Sequence, residues 1–467
     1  MKTSGKSSYI HTYAHAIGFS KRDIVALALL CFSSAFTASA SVTFTGGATD
    51  KEAIKISPAA STGLDDLFVI WNTAGTQAHY TASSTATTVK WYRFSNLGGG
   101  YAEEVPSYRN GTDSYIQLAD KDMGYIVEDG TDRYYFWTTN YADHMCTLES
   151  IDIMPDQTEC DRMALTLNGH APKIAYFSIN GMQQTLSRDL KLEYTTLEYN
   201  QERQAYEQQT VTETLESADG TVRTASPLCE TFFSISGDRF LQKWGMEQHA
   251  VSPYVQPMAI AVTTSAEQAS RENDNEQREE NAGSFGGSGP VEITFRAAVT
   301  DAVVFHEWQF SRDQEFDIID LRIQENEIEH EFSDYGTVYV RFVAGNDSGS
   351  CDFTSETYTV YIGESRLDCP NAFSPGATEG TNDEWKVSYK SIVSFDCSIF
   401  NRWGLLMCHF TDPSQGWDGK YKGKLVPPGV YYYVIRAKGT DGKDYKLSGD
   451  INILKFKDNR TSTTPTN

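Results

Sequence analysis

Covalent chemistry in this sequence rests first on cysteine. Seven follow residue 40, at 146, 160, 229, 351, 369, 397 and 408. None forms a Cys-x-x-Cys pair, so the spacing supports neither a zinc ribbon nor a thioredoxin-type redox site. In an oxidising compartment such thiols pair, and an odd number leaves one over. Asn401-Arg402-Trp403-Gly404 lies between two short apolar runs and reads as a hairpin turn. With Arg402 and Trp403 as its loop, Asn401 faces Gly404 and Cys397 faces Cys408, a geometry ready for a disulfide. Two small buried residues is the other reading, because a free cysteine packs well. Cys351 and Cys369 make a second expected pair, tying the end of one module to the start of the next. Cys146, Cys160 and Cys229 allow three pairings, which stay open.

Other groups capable of chemistry are scattered. The sequence has no His-Glu-x-x-His, no Gly-x-Ser-x-Gly elbow and no phosphate loop ending in Lys-Ser/Thr. Gly286-Gly287-Ser288-Gly289 lacks the preceding strand and following helix of a phosphate site. His306 and His330 fall in strand-like runs that neighbour each other on this reading, where a packed structural role outweighs a metal site. Carboxylate pairs such as Asp65-Asp66 are expected to be solvated in so acidic a chain, and nothing marks a cleft that would hold a glycosidase pair. The expectation is a non-enzyme with no catalytic residue, no cofactor and no metal. Aromatic residues, 12% of the chain, either build the cores of several sandwiches or form a glycan platform.

The elements that must position these residues are strands, and the expected fold is all-β: tandem Ig-like sandwich modules ahead of a C-terminal β-sandwich. Val430–Arg436 is a β-branched and aromatic run, and Asp441-Gly442 turns the chain into a second strand ending at Ile451–Leu454. The block from 369 to 454 also carries Pro370-Asn371-Ala372-Phe373-Ser374-Pro375, Asn382-Asp383, Asn401-Arg402-Trp403-Gly404, Trp417-Asp418-Gly419, Gly423, Pro428-Gly429-Val430-Tyr431 and Gly449. With these residues it resembles the gliding motility-associated C-terminal domain, the type B sorting domain of the type IX secretion system of Bacteroidetes. That family usually has an Asn-Gly-Asp-Gly run after Ser-Pro. Gly376-Ala377-Thr378-Glu379-Gly380 replaces it here, which removes the basis for a cation in that loop. The resemblance implies a docking surface around Asn401–Gly404 and Trp417–Gly419 with a strand edge open to β-addition. It also implies as partner a PorP/SprF-like outer-membrane barrel.

Upstream, 41–155 reads as an Ig-like sandwich: Phe68–Trp71 and Val89–Phe94 are strand-like, Trp91 suits a core, and Asp122-Met123-Gly124-Tyr125 resembles the corner motif of that fold. A second Ig-like module spans 156–263. In it Asn180-Gly181 and Asp219-Gly220 are turns, 200–217 is either a long hairpin or in part a helix at Glu202–Gln209, and Phe232–Ile235 with Met258–Val262 close the sandwich. Residues 264–290, charged, amide-rich and then glycine-rich, read as a flexible linker. The module 291–364, with Val303–Ser311 and His330–Phe342, is similar to the polycystic kidney disease (PKD) domain. The signal-type domain takes 365–455, and 456–467 is a polar tail expected to be disordered.

Lys21-Arg22, the apolar run Ile24–Phe32 and Ala38-Ser39-Ala40 read as a secretory signal peptide over 1–40. Leu30 before Cys31 argues against lipidation, and no later run is long enough to span a bilayer as a helix. The whole chain carries −24. Without residues 1–40 it carries −27, whereas 369–467 has thirteen Lys and Arg against ten Asp and Glu. A body this acidic repels nucleic acid and anionic lipid. The functional expectation is an exported modular protein docked on the type IX apparatus at the periplasm, outer membrane and cell surface. The alternative is a surface adhesin or glycan-binding cargo, with a surface glycan or host protein as partner.

Overall fold

The computed structural model describes residues 42–47, 51–278, 285–377, 380 and 382–454. The signal peptide expected at 1–40 with Cys31, the tail expected at 456–467, and 279–284 of the expected linker lie outside the described residues. The expected all-β fold is what the sequence builds. Among the described residues no helix is long and apolar enough to cross a membrane. The chain divides into two compact units, one made of the N-terminal part to His144 plus Lys173–Leu186, the other of the remainder.

In the first unit, a four-stranded sheet runs in the order Val42–Gly46, Thr76–Thr81, Asp113–Gln117, Tyr108–Asn110. A six-stranded sheet runs in the order Ile54–Ile56, Asp66–Ile70, Asp132–Asn140, Met123–Asp129, Val89–Phe94, Glu103–Val105. Each strand alternates its side chains between two faces, so the inward residues of both sheets meet in one core containing Trp91, Tyr125, Phe136, Phe68, Tyr80 and Ile116. Trp91 is fully buried and its indole donates to Ser114 Oγ at 2.9 Å. The corner motif behaves as expected: Tyr125 Oη accepts from Ala119 N at 2.8 Å. Gly124 is required by contact, because a Cβ there would stand 2.2 Å from the Phe94 ring.

Module boundaries differ from the sequence reading. Asp66–Ile70 is buried along its whole length, which requires cover on both sheet faces. The hairpin Ile174–Phe177 with Gln183–Leu186 belongs to this unit: Phe177 lies 5.8 Å from Trp137, and Ile179 N donates to Thr62 O at 2.9 Å. The Asn180-Gly181 turn is where the sequence places it, but its hairpin serves the first unit. Conversely Thr147–Ile153, assigned to the first module, pairs with Arg162–His170 in the second.

The second unit begins with that sheet of Thr147–Ile153, Arg162–His170 and Gly220–Ala225, facing a sheet of Ala205–Leu215, Leu190–Asn200, Ser234–Gly237 and Gln248–Val251. Residues 200–217 form a long hairpin rather than a helix, with Leu190–Asn200 paired to Ala205–Leu215 along all eleven positions. Asp238 caps the short helix Arg239–Lys243 and pairs with the buried Arg188.

The third sandwich starts earlier than expected. Val262–Gln268 pairs with Val291–Val299, and Phe285–Gly287 pairs in parallel with Tyr358–Ile362. Thr264–Gln268 and Phe285–Gly287 lie inside the stretch read as a flexible linker, and Val262 joins this core instead of closing the second module. Composition misleads because pairing satisfies the backbone of Thr263–Gln268 whatever its side chains. The polar segment that follows is bonded to the last module. Asn273 Nδ2 donates to Tyr389 Oη at 2.9 Å, Asn275 Nδ2 to Val387 O and Pro413 O at 2.8 and 2.7 Å, and Gln277 Nε2 to Ser388 Oγ at 2.8 Å. His306 and His330 do not come together. His306 stacks on Phe342 in the six-stranded sheet, whereas His330 lies against Phe310 from the opposing one.

The expected disulfides are also corrected. Cys351 bonds Cys160, joining the second and third modules across 191 residues of sequence. Cys146, Cys229, Cys369, Cys397 and Cys408 are free thiols. Cys351 follows a turn held by Asn346, whose side chain reaches Met258 O. Cys369 packs instead on the core of the last module. In the 397–408 hairpin the register shifts at Phe400, so Cys397 opposes Phe410 and Cys408 opposes Ile399. The two cysteines are therefore diagonal neighbours, with Cα atoms about 7–8 Å apart by the geometry of such pairs, beyond the Cα separation a disulfide bridges.

Three expectations follow. Peptide mapping of the unreduced chain from residue 41 onward will recover one cross-linked pair, Cys160–Cys351, and five alkylatable thiols. Cys160→Ser with Cys351→Ser will lower stability by about 2–5 kcal/mol in thermal or urea unfolding. Burial, with Glu276 adding to it, pushes the Tyr389 hydroxyl from 10.0 up to about 12, and burial with Cys369 does the same for Tyr433. Their folded pKa values lie above the unfolded one, so their contribution is complete below pH 10 and is lost as pH rises toward 12. Tyrosinate absorbance followed with circular dichroism will show both ionising late and together with alkaline unfolding.

Candidate functional site

The last module is a five-stranded sheet in the order Ala372–Phe373, Asp444–Ile453, Gly429–Gly439, Ile392–Asn401, Leu406–Phe410. Asp444–Ile453 and Gly429–Gly439 form the hairpin read around Asp441-Gly442, with Gly439 N donating to Lys443 O at 2.9 Å. The side facing the core presents Tyr431, Ile435, Ala437, Ile399 and Ile451, under Trp385 and Trp417. Leu406–Phe410 is the edge strand.

Beside that edge lies the Asn401–Gly404 turn. Asn401 N donates to Leu405 O at 3.0 Å, so three residues form the loop rather than two. Asn401 Oδ1 accepts from Trp403 N and Leu405 N at 2.9 and 3.0 Å, and Gly404 adopts φ +80°, the left-handed geometry that such a loop needs. The turn is thus held from within, and its side chains are released outward. Trp403 is 79% exposed, with the Arg402 guanidinium 4.9 Å over its ring. Trp403, Leu405, Leu425, Pro427 and Val430 line a groove of about 560 Å³. Arg402, Lys422 and Lys424 are exposed around it. On the adjoining solvent face of the sheet, Val430, Tyr432 and Val434 are exposed at alternate positions of one strand, together with Leu406 on the edge strand.

The other motif residues play different parts. Trp417 is 1% exposed: its indole donates to Lys420 O at 3.0 Å, and its ring meets Phe373 and Tyr431 at 5.6 and 5.1 Å. Asp418 accepts from Lys420 N at 3.0 Å and pairs with Lys420 Nζ at 2.7 Å, shaping the turn. Gly419 lies against Pro375, 2.9 Å from a Cβ added there. Asp383 accepts from Gly376 N and Gly380 N at 2.8 and 2.7 Å, so its carboxylate organises the loop that replaces the family's acidic run. Asn382, at φ +55°, accepts from Ser374 N through its carbonyl. Asn371 O accepts from Asn452 N at 2.8 Å. Pro428 and Gly429 are exposed at the start of the strand that buries Tyr431. Of the motif, then, Arg402, Trp403 and Pro428 face solvent by the groove. Phe373, Trp417 and Tyr431 are core, and Asp383, Asn401 and Asp418 fix turns. The sequence reading missed Leu405, Leu425 and the stripe Val430, Tyr432, Val434. The signal for the stripe is a strand apolar at consecutive positions, with too few polar residues to supply a wet face. Among the described residues, no group of three or more His, Cys, Asp or Glu is placed to hold a metal.

Two family models match parts of the chain. Residues 367–453 match the CHU_C type IX secretion signal domain, and residues 152–252 match the fibronectin type III domain. The chain therefore carries a type IX secretion signal domain preceded by a fibronectin type III domain. No curated protein matches it in sequence. Among solved structures it is similar to a tetra-tandem repeat in the extending region of a large adhesion protein (9% identity, 89% of this chain and 100% of that chain, TM-score 0.23). It is also similar to the FN1-FN3 domains of chicken CNTN1 (13% identity, 67% and 100%, TM-score 0.24). A third is dimeric latent PorU from Porphyromonas gingivalis (11% identity, 69% and 35%, TM-score 0.15).

The two tryptophans separate in a direct test. Trp417→Ala is expected to cost about 3–5 kcal/mol of stability, and Trp403→Ala less than about 0.5 kcal/mol, both read by urea unfolding of the chain from residue 41 onward.

Proposed function

We propose that the chain is a non-enzymatic exported protein that docks through its type IX secretion signal domain on the secretion and gliding apparatus, at a PorP/SprF-like outer-membrane barrel. It serves there as a structural or accessory component. The signal domain supports export by that system, with the signal peptide read at 1–40 providing passage of the inner membrane. The observation that carries docking is the Trp403 groove. A large indole held in solvent by a self-satisfied turn contributes little to its own fold, and it borders an apolar sheet face. Arg402, Lys422 and Lys424 give this rim a positive character that suits an acidic acceptor surface. The fibronectin-type module and a PKD-like third module act as spacers that project from the docking point.

The test is crosslinking with mass spectrometry on outer membranes. Lys420, Lys422 and Lys424 are expected to link to a barrel protein, and a Trp403→Ala, Leu425→Asp chain to lose those links while remaining folded. A chain ending before Cys369 that reaches the same location with the same neighbours overturns the proposal.

A further inference from the structure

The third sandwich sends a loop across to the signal domain. Between its strands Val262–Gln268 and Phe285–Gly287, residues 271–278 leave the sheet, and a strap of Asn273–Gln277 runs alongside Ser388–Lys390. Tyr389 N donates to Asn275 O at 3.0 Å, and Gln277 N donates to Tyr389 O at 2.7 Å, so the strap is added in parallel. On its other side Ser388–Lys390 pairs with Arg366–Asp368. The side that meets the strap is therefore a sheet edge, filled from within the chain. This edge is preformed. Trp385, Val387 and Tyr389 send their side chains into the core of the signal domain, which fixes the backbone groups between them.

The strap shows what chemistry the edge accepts. Asn275 Nδ2 donates to two carbonyls, Val387 O and Pro413 O, at 2.8 and 2.7 Å. Asn273 Nδ2 donates to the Tyr389 hydroxyl at 2.9 Å and Gln277 Nε2 to the Ser388 hydroxyl at 2.8 Å. Asp274 pairs with Lys386 Nζ at 3.1 Å. None of residues 271–278 is apolar and none is fully buried, so the strap holds on by hydrogen bonds and an ion pair, without apolar burial. A cavity of about 420 Å³, lined by Gln268, Arg271, Glu276, Phe285 and Ser288 among others, lies between it and its own sandwich. Asn275 Oδ1 is buried with no hydrogen-bond partner, which weakens the seated state further. A strand bound in this way is displaceable.

We propose that the Val387–Tyr389 edge is a peptide-binding site, occupied in cis by the strap and open in trans to an extended segment of the same chemistry. That segment carries an amide to span the two carbonyls and, beside it, a carboxylate for Lys386. Tethered at both ends, the strap has an effective concentration on the order of millimolar. A free segment therefore displaces it only when something else holds that segment close, and a partner already docked on the signal domain does so. This last step rests on the docking proposed above. The edge and its ligand do not, and they share no residue with the Trp403 groove.

The experiment uses the chain from residue 41 onward and a fluorescein-labelled peptide of residues 270–278. By hydrogen exchange, the Tyr389 N–H that the strap protects is expected to exchange about a hundredfold or more faster than those of the interior strand Ile392–Asn401. By fluorescence anisotropy, the chain carrying Asn273→Ala, Asn275→Ala and Gln277→Ala is expected to bind the peptide about tenfold or more tighter than the unsubstituted chain. A peptide with Asn275→Ala is expected to bind neither. Lys386→Glu in the strap-substituted chain is expected to abolish binding and Asp274→Lys in the peptide to restore it, which separates a lost contact from a lost fold. Tyr389 exchange as slow as that of the interior strand, no saturable binding to the strap-substituted chain, equal binding by both chains, or binding indifferent to Asn275→Ala would each overturn the proposal. Crosslinks from Lys422 and Lys424 to a barrel test docking alone, so the two readings fail separately.

Discussion

A strand sends its side chains alternately to two faces, and a sandwich covers only one of them. That constraint governs both the stability and the surfaces of this chain. In Gly429–Gly439, Tyr431, Ile435 and Ala437 enter the core, while Val430, Tyr432 and Val434 face solvent. In Asp113–Gln117, Ser114 and Ile116 are buried, and Tyr115 is left on the outer side. Where the protein needs both faces dry it supplies a second cover, as the 174–186 hairpin does for Trp137. An uncovered face can still bear large rings, because cross-strand pairs such as His79–Tyr115 add to the stability of the sheet that carries them.

Within the second unit, the contacts between modules bear on how a docked signal domain would carry what precedes it. Ser391 N donates to Ser288 Oγ at 2.8 Å and Gly289 N to Ser391 Oγ at 3.2 Å, both buried. Thr440 Oγ1 donates to Gly363 O at 3.2 Å, and Tyr335 N donates to Thr440 O at 3.2 Å. The segment from Asn273 to Gln277 adds side-chain bonds to Tyr389, Val387 and Ser388. Buried polar groups of this kind are costly to leave unpaired, so the joint between third module and signal domain resists bending more than a glycine-rich tether would. The Cys160–Cys351 bond does the same one joint earlier.

Local rules made most strands and turns legible. Asp441-Gly442, Asn180-Gly181, the Tyr125 corner and the core placement of Trp91 all follow from short patterns whose physics is complete within a few residues. What stayed hidden depended on long-range pairing. The partner of Cys351 lies 191 residues away. The strand character of Val262–Gln268 needs Val291–Val299 to exist first. Asn273, Asn275 and Gln277 look like linker composition because amides are polar, yet their bonds go to backbone carbonyls and hydroxyls of a later module. The cysteine error had a smaller cause. A three-residue loop and a bulge displace the facing positions by two residues, enough to turn an opposed pair into a diagonal one while keeping both on one face.

The signal-domain motif shows why residue type alone does not assign a role. Trp403 and Trp417 both belong to the pattern that identifies the signal domain, and each lies next to a glycine. Trp417 is drawn inward because its backbone bridges Trp385 N and O at 2.9 and 3.0 Å, which aims the indole at Phe373 and Tyr431. Trp403 is turned outward because Asn401 and Gly404 close the loop without help from its side chain. Removing the first indole leaves a cavity, and removing the second leaves the turn unchanged. A side chain this large that its own fold does not use is left free to meet something outside the chain.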